Sequence, residues 1–309
     1  MPLSFPVDRT VLRPYLRLLC TALVLSVANA LVADSIEMVF INAGTVLVGD
    51  DSTLQDEQPS HSVSTSEYFI DVYEVHIWHW EKVATWAEGN GYEFNASTKK
   101  GVLKGGPEWY KERSSSLFPM SMANWYDAVK WCNARSELEG RVPLYYTDAN
   151  KSTVYRSGEI DLTSENVNWE GSGYRLPTEV EWERAARGDA STSSQDYSWG
   201  NSFLNGAMAN YSLSGDPLDN ASTPVGYFDG RQQIEKRENS RGGESTSPSN
   251  IVSSFGLYDI TGNVSEWCWD WYDSGWYSNS YSGTKNTKGP DIDQLSDERP
   301  RRIARGGNF

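Results

Sequence analysis

The stretch "GLYDITGNVSEWCWDWY", residues 256–272, constrains the fold more than any other part of the chain. From Trp267 onward, Trp267, Trp269 and Trp271 alternate with Cys268, Asp270 and Tyr272. A period of two sends side chains to opposite faces of a strand. The preceding Gly262-Asn263 pair permits a sharp turn. Residues 256–272 therefore read as a loop feeding a strand with an indole face.

A strand of this kind needs a core to cover it. The 309 residues, 38% hydrophobic and 13% aromatic with no internal repeat, suffice for one substantial core. Thirteen Trp and seventeen Tyr among twenty-six Gly favour a loop-rich mixed fold over a bundle of long helices, because these rings bury area yet need polar partners. The formal charge is −15. Asp8 against Arg9, Arg13 and Arg17 makes the first 33 residues +2, which leaves −17 for the rest. Nucleic acid is not expected as a partner, since phosphate binding needs a basic footprint. The acidic remainder is compatible with divalent cations.

Arg13 and Arg17 precede the apolar run "LLCTALVLSVANALVA", with Ala28-Asn29-Ala30 or Leu31-Val32-Ala33 as small-residue cleavage sites. Residues 1–33 read as an export signal and 34–309 as one domain. No transmembrane segment is expected after cleavage, because the run is too short. Cys20 opens the run instead of following it, so it does not read as a lipoprotein cysteine. In 34–309 only Cys132 and Cys268 are left, too few for a disulfide scaffold. Cys132 falls on the helical stripe Trp125, Val129, Cys132, where a thiol acts as a small hydrophobe. A bridge between the two cysteines stays open.

"EMVFINAGTVLVGD" predicts a hairpin around Asn42-Ala43-Gly44, and "SEYFIDVYEV" a further strand. Three helices are expected. One lies in "HIWHWEKVATWAEGNG" and ends near Gly89. The second is capped by Asn124 and closed by Gly140, and the third carries the capping box Thr178-x-x-Glu181 with Gly188 as its stop. Residues 141–174 and 229–253 read as polar, turn-rich excursions. His76-x-x-His79 beside Glu74 is disfavoured as a metal site: an imidazole pair needs a third ligand, and Glu74 lies in a stretch that reads as extended. His61 is expected in an exposed polar loop. No Ser-His-Asp set, phosphate loop or zinc motif is present.

Nine segments, in order, resemble the formylglycine-generating enzyme, or sulfatase-modifying factor, domain family. They are "MVFINAGTVLVGD", "DEQPSHSV", "YFIDVYEV", "FPMSMANWYDAVKWCN", "YRLPTEVEWERAARG", "TPVGYFDG", "GLYDITGNVSEWCWDWY", "NTKGP" and "RIARGG". The resemblance implies a single compact α+β domain, loop-rich and related to C-type lectin folds. It also implies a calcium site at Asp259, Gly262, Val264 and Glu266, with Gly262 and Val264 giving backbone oxygen. Hard cations take six to eight oxygens in flexible geometry, which suits such a loop. On local sequence alone the stretch also reads as a tight turn with Glu266 solvated. A second family calcium site matches Asn210 and Tyr211, its further ligands falling to Asp216 or Asp219.

The activity implied by the resemblance is oxidation of a sulfatase cysteine to formylglycine, using oxygen and copper(I) held by two thiolates. Soft thiolates suit copper(I). That cysteine pair follows the family's Arg-Gly-Gly motif. Here Arg305-Gly306-Gly307 is followed by Asn308 and Phe309, so copper is expected only if a cysteine pair lies beyond Phe309. An iron-dependent branch with histidine ligands fits three scattered histidines poorly. Two readings follow: an exported oxidase acting on a sulfatase polypeptide, or an exported, calcium-stabilised, non-catalytic binding or scaffolding module.

Overall fold

Among the described residues, three antiparallel strand pairs, three α-helices and four short 3-10 helices form the regular structure. The computed structural model describes residues 36–52, 54–95, 98, 117–189, 197–200, 204–216, 218, 221–231, 250–296 and 299–309. Residues 1–33, expected as an export signal, lie outside them. Residues 38–309 form one compact unit. Strand β1 (Met38–Ile41) pairs with β4 (Tyr68–Asp71), β2 (Gly44–Val48) with β3 (His61–Thr65), and β5 (Glu266–Trp271) with β6 (Arg302–Arg305). The helices are α1 (Ile77–Glu88), α2 (Trp125–Leu138) and α3 (Glu179–Arg187). This is the α+β, loop-rich fold expected.

The helix starts follow from local hydrogen bonding. Asn124 Oδ1 accepts the Asp127 N–H at 2.7 Å, satisfying one orphan donor of α2. Thr178 and Glu181 form the reciprocal capping box of α3. The ring nitrogen His76 Nδ1 accepts from His79 N–H at the start of α1. His76 thus works as a cap. Gly188 ends α3 at φ +76°, a conformation that favours glycine.

Strand β5 is buried on both faces, Trp269 and Trp271 on one and Cys268 and Asp270 on the other. Trp269 packs against Trp125, Tyr145 and Trp169, with ring centroids 5.5, 5.7 and 5.4 Å away. Such pairs contribute roughly 0.5–1.5 kcal/mol each beyond area burial. The same core reaches α1 through Trp80, stacked on Trp131 of α2 at 5.4 Å. On the other face, Cys268 joins a separate cluster with Ile41, Trp182, Leu257 and Ile260.

The hairpin expected around Asn42-Ala43-Gly44 does not close. Both strands exist, but β1 sends Ile41 to the Trp182 cluster while β2 sends Val46 and Val48 to Val63 and Val180. Between them sits buried Arg184, donating to Asn42 O at 2.9 Å and Thr45 O at 3.3 Å. A Cβ at Gly44 would collide with that guanidinium. The corner therefore wraps a cation instead of pairing with itself.

His61 opens β3 rather than lying in a loop, and its ring meets the edge of Tyr277 at 5.2 Å. Segment 141–174 is turn-rich but not merely polar: Leu144, Tyr145, Tyr155, Leu162 and Val167 all belong to the main core. Residues 232–249 of the other excursion lie outside the described residues.

Candidate functional site

The Gly-Asn turn is built on three left-handed backbone positions. Asp259 has φ +55°, Gly262 +90° and Asn263 +60°, all in the left-handed region. Gly262 N–H donates to Gly306 O at 2.7 Å, and Asn263 N–H to Asn210 O at 2.8 Å. A Cβ on Gly262 would land on that same Asn210 carbonyl. Glycine is thus required by both torsion and space, and the turn is clamped between β6's exit and the Asn210 segment.

Around the turn stand three carboxylates, two expected and one not. Asp259 Oδ2 accepts from Gly226 N–H at 2.5 Å, while Asp259 Oδ1 is buried with no hydrogen-bond partner. Glu266 accepts from Trp182 Nε1 at 3.0 Å. Glu74, just ahead of α1, receives Val264 N–H at 3.0 Å on one oxygen and Asn263 Nδ2 at 2.6 Å on the other. Burial pushes Asp259 and Glu266 up to about 7, the Glu266 shift being augmented by the charges of Asp259 and Asp71. Burial, then the charges of Asp259 and Glu266, hold Glu74 well above its ordinary value. Three crowded anions away from water favour either protons or a cation.

A hard cation fits the donor set present. Asp259 Oδ1 is an orphaned buried oxygen, which ordinarily demands an explanation. The carbonyls of Gly262 and Val264 accept no hydrogen bond from a described residue. Among the described residues no group of three or more His, Cys, Asp or Glu side chains is arranged to hold a metal ion. A cation at this turn would accordingly draw on backbone carbonyls, as calcium does and zinc does not. Glu74 is already spent on Asn263 and Val264, so it supports the turn from behind.

The second candidate set is only partly assembled. Asn210 is fully buried, and its Oδ1 is likewise orphaned while its Nδ2 donates to Ala221 O at 2.7 Å. Tyr211 lends its carbonyl to Ser214 N–H at 2.9 Å. Asp216 turns inward on its own loop, bonding Ser214 Oγ and receiving Leu218 N–H at 2.7 Å. Its carboxylate is engaged locally. Asp219 lies outside the described residues.

Sequence reasoning missed Glu74 and the side chain of Asn263. In the sequence Glu74 stands beside His76 and His79 and reads only as their neighbour. Its role depends on a segment 189 residues away, which no local pattern signals.

Beside the turn runs a cleft of about 760 Å³, lined by residues 67–75, by residues 171–177 and by Ile260, Val264, Glu266 and Trp267. Arg135 of α2 bridges its floor: the guanidinium holds Asp71 bidentately at 2.7 and 3.2 Å and lies 3.8 Å from the Tyr174 ring. Arg175 holds Glu181 at 2.6 and 2.7 Å. Cys132 also lines the cleft wall.

Neither described thiol is prepared for chemistry. Cys132 and Cys268 are free and buried, in different hydrophobic clusters. Burial pushes Cys132 up to about 12 and Cys268 well above its ordinary value. Thiolate is the nucleophile and the metal ligand, and both groups are held as thiols.

Residues 26–309 match the sulfatase-modifying factor enzyme 1-like domain. A chaperone protein, LppX, of Paenibacillus barcinonensis is 28% identical over 79% of this chain and 74% of its own length. The formylglycine-generating enzyme of mouse is 27% identical over 88% of this chain and 66% of its own. That of Streptomyces coelicolor is 29% identical over 57% of this chain, a match spanning less than half, 45%, of the enzyme. In fold, the chain is similar to Treponema denticola variable protein 1, with TM-score 0.54, 24% identity and coverage of 88% and 83%. It is also similar to CarF, with TM-score 0.55, 22% identity and coverage of 89% and 96%. With the match running over nearly the whole chain, this protein belongs to the sulfatase-modifying factor enzyme 1-like domain family.

Proposed function

We propose that residues 38–309 act as an exported, calcium-stabilised module that binds an extended polypeptide. The observation that carries this reading is the way the cleft is lined. Nine consecutive residues, 67–75, and seven consecutive residues, 171–177, face it. Only Tyr68–Asp71 of the first run is strand, its ladder formed with β1, and 171–177 is bend and irregular backbone, so an unbroken run of either kind brings main chain as well as side chains to the cavity. Within 171–177, the N–H groups of Tyr174 and Leu176 turn away, to Ser136 Oγ and Tyr145 OH. Two runs of backbone facing one slot suit addition of an extended strand, in which main-chain hydrogen bonds supply the affinity.

Charge selects among polypeptides. Asp71 and Glu181 on the cleft hold Arg135 and Arg175, which leaves Glu67, Glu74 and Glu266 against Arg141 among the charged residues of its lining. A strand with basic side chains is therefore preferred over an acidic one. The relatives' names concern protein handling too, a chaperone and an enzyme that generates formylglycine. Calcium is assigned the turn, where Asp259, Gly262, Val264 and Glu266 would hold it and neutralise the crowded anions.

The test is a fluorescence titration with a nine-residue peptide of alternating valine and lysine, since Trp131 and Trp267 line the cleft. Saturable binding that is abolished by N-methylation of the peptide backbone supports strand addition. Equal binding of the methylated peptide, or none of either, contradicts it.

The second reading is the oxidase acting on a sulfatase polypeptide. It requires copper(I) on two converging thiolates, which Cys132 and Cys268 in separate clusters do not supply. The binding reading is therefore preferred for the described residues.

A further inference from the structure

We propose that Arg141 receives the C-terminal carboxylate of the polypeptide bound in the cleft. The inference rests on the polypeptide reading above.

Arg141 is fixed by its own surroundings. It follows α2, and its N–H donates to Ser136 O at 2.7 Å. Ser136 Oγ in turn accepts Tyr174 N–H at 2.7 Å, so one buried serine positions both the arginine and the tyrosine. The Arg141 guanidinium carbon lies 5.0 Å from the centre of the Tyr174 ring, and Nη1 donates to Ser172 O at 2.9 Å. The backbone that presents Ser172 has no room to retreat, since a Cβ at Gly171 would strike Leu144 and one at Gly173 the Val142 carbonyl. Contact with a ring and a bond to a fixed carbonyl together orient the guanidinium fork.

What this arginine lacks is an anion. Glu139, two positions before it, is engaged on both oxygens, one by Arg135 Nε at 3.2 Å and the other by Tyr174 OH. Arg135 and Arg175, the other arginines of the lining, hold Asp71 and Glu181. Arg141 forms no ion pair among the described residues, and the donors it does not spend on Ser172 have no partner there. It is an exposed residue of the cleft lining, open to a ligand.

The anion that fits is the end of a chain. A ligand strand running beside 171–177 would next use the Ser172 carbonyl as an acceptor, and Arg141 already occupies it. Main-chain pairing therefore stops where the guanidinium stands, and a terminal carboxylate placed there takes a charge-assisted fork. An acidic side chain in mid-strand would reach Arg141 only with the chain continuing past that occupied acceptor.

The test is a fluorescence titration of the full chain, wild type and Arg141→Gln, with the nine-residue valine-lysine peptide as C-terminal acid and as C-terminal amide. Wild type should bind the acid roughly 3-fold to 10-fold more tightly than the amide, between the effect of an exposed ion pair and that of a charge-assisted bond shielded from water. Arg141→Gln should bind both forms alike, at the affinity wild type shows for the amide. Equal affinity of wild type for acid and amide overturns the carboxylate capture while leaving strand binding intact. So does an equal loss of both forms in Arg141→Gln, which would mark a packing role for the arginine. An amidated peptide ending in aspartate that regains the affinity of the acid would move Arg141 to side-chain carboxylates and overturn the terminal assignment. Absence of binding by either form would overturn the polypeptide reading itself. Should Arg141→Gln fail to fold, the acid and amide on wild type still decide.

Discussion

Asn263 Nδ2 donates to Glu74 Oε2 at 2.6 Å, joining residues 189 positions apart. Glu74 returns the support on its other oxygen by accepting Val264 N–H. A buried carboxylate from the entrance of α1 thus braces a turn that follows α2 and α3 in the chain. The turn's shape is a tertiary product, and its stability should report on whatever occupies it.

Calcium should raise the midpoint of thermal unfolding, and Glu266→Gln should remove most of that rise. An ion that binds only the native state stabilises by about 2.7 kcal/mol at a hundredfold excess over Kd. The substitution preserves the acceptor for Trp182 Nε1 but deletes the charge. Equal calcium responses from wild type and variant in scanning calorimetry would remove Glu266 from the site.

Gly262→Ala should be destabilising with or without calcium. A non-glycine residue at φ +90° costs of order 1–3 kcal/mol. The added methyl also strikes the Asn210 carbonyl, which has no slack because it already receives Asn263 N–H. Chemical denaturation should show a lower midpoint at unchanged slope. A midpoint equal to wild type would mean the turn is not as rigid as the contacts imply.

Asp270 gives a pH-dependent prediction. Its Oδ2 accepts Glu179 N–H at 2.7 Å at the start of α3, while burial, then the Glu179 charge, push its carboxyl up to about 8. An unfolded aspartate titrates near 4, so between about 4 and 8 the native chain holds a proton that the unfolded chain has lost. That contribution to stability is full below the unfolded value and fades as pH rises through 8. Asp270→Asn keeps the acceptor and never charges. Its unfolding temperature should gain on wild type from pH 6 to pH 9, and a constant difference across that range would refute the assignment.

How much of this was legible beforehand depended on range. The three helices were readable because Asn124, Thr178-Glu181 and Gly188 act within one turn of where they stand. β5 was readable because its alternation repeats over six residues. The β1–β2 hairpin misread had a physical cause: pairing there is decided by Arg184, 139 residues beyond Thr45, which fills the corner. β3 escaped notice because "HSVST" is short and polar. At the site, Asp259, Gly262, Val264 and Glu266 fall within eight positions of one another, so their proximity is local. Glu74 and Asn263 were not legible as partners, since each satisfies the other only once folded.

The thiols supply a chemical check. Iodoacetamide should leave Cys132 and Cys268 unmodified in the native protein and modify both after unfolding, as peptide mass mapping will show. With copper, oxygen and reductant supplied, a sulfatase-type cysteine peptide should remain a thiol. Rapid native alkylation, or an aldehyde gained by the peptide, would require a different account of the two clusters.

The most direct test of the calcium turn is a crystal structure of the protein grown with calcium. The expected result is an ion about 2.3–2.6 Å from Asp259 Oδ1 and from the Gly262 and Val264 carbonyls, with Glu266 on the same ion. A structure in excess calcium with no ion there, and with Asp259 Oδ1 satisfied by a protein donor or a water instead, would contradict it.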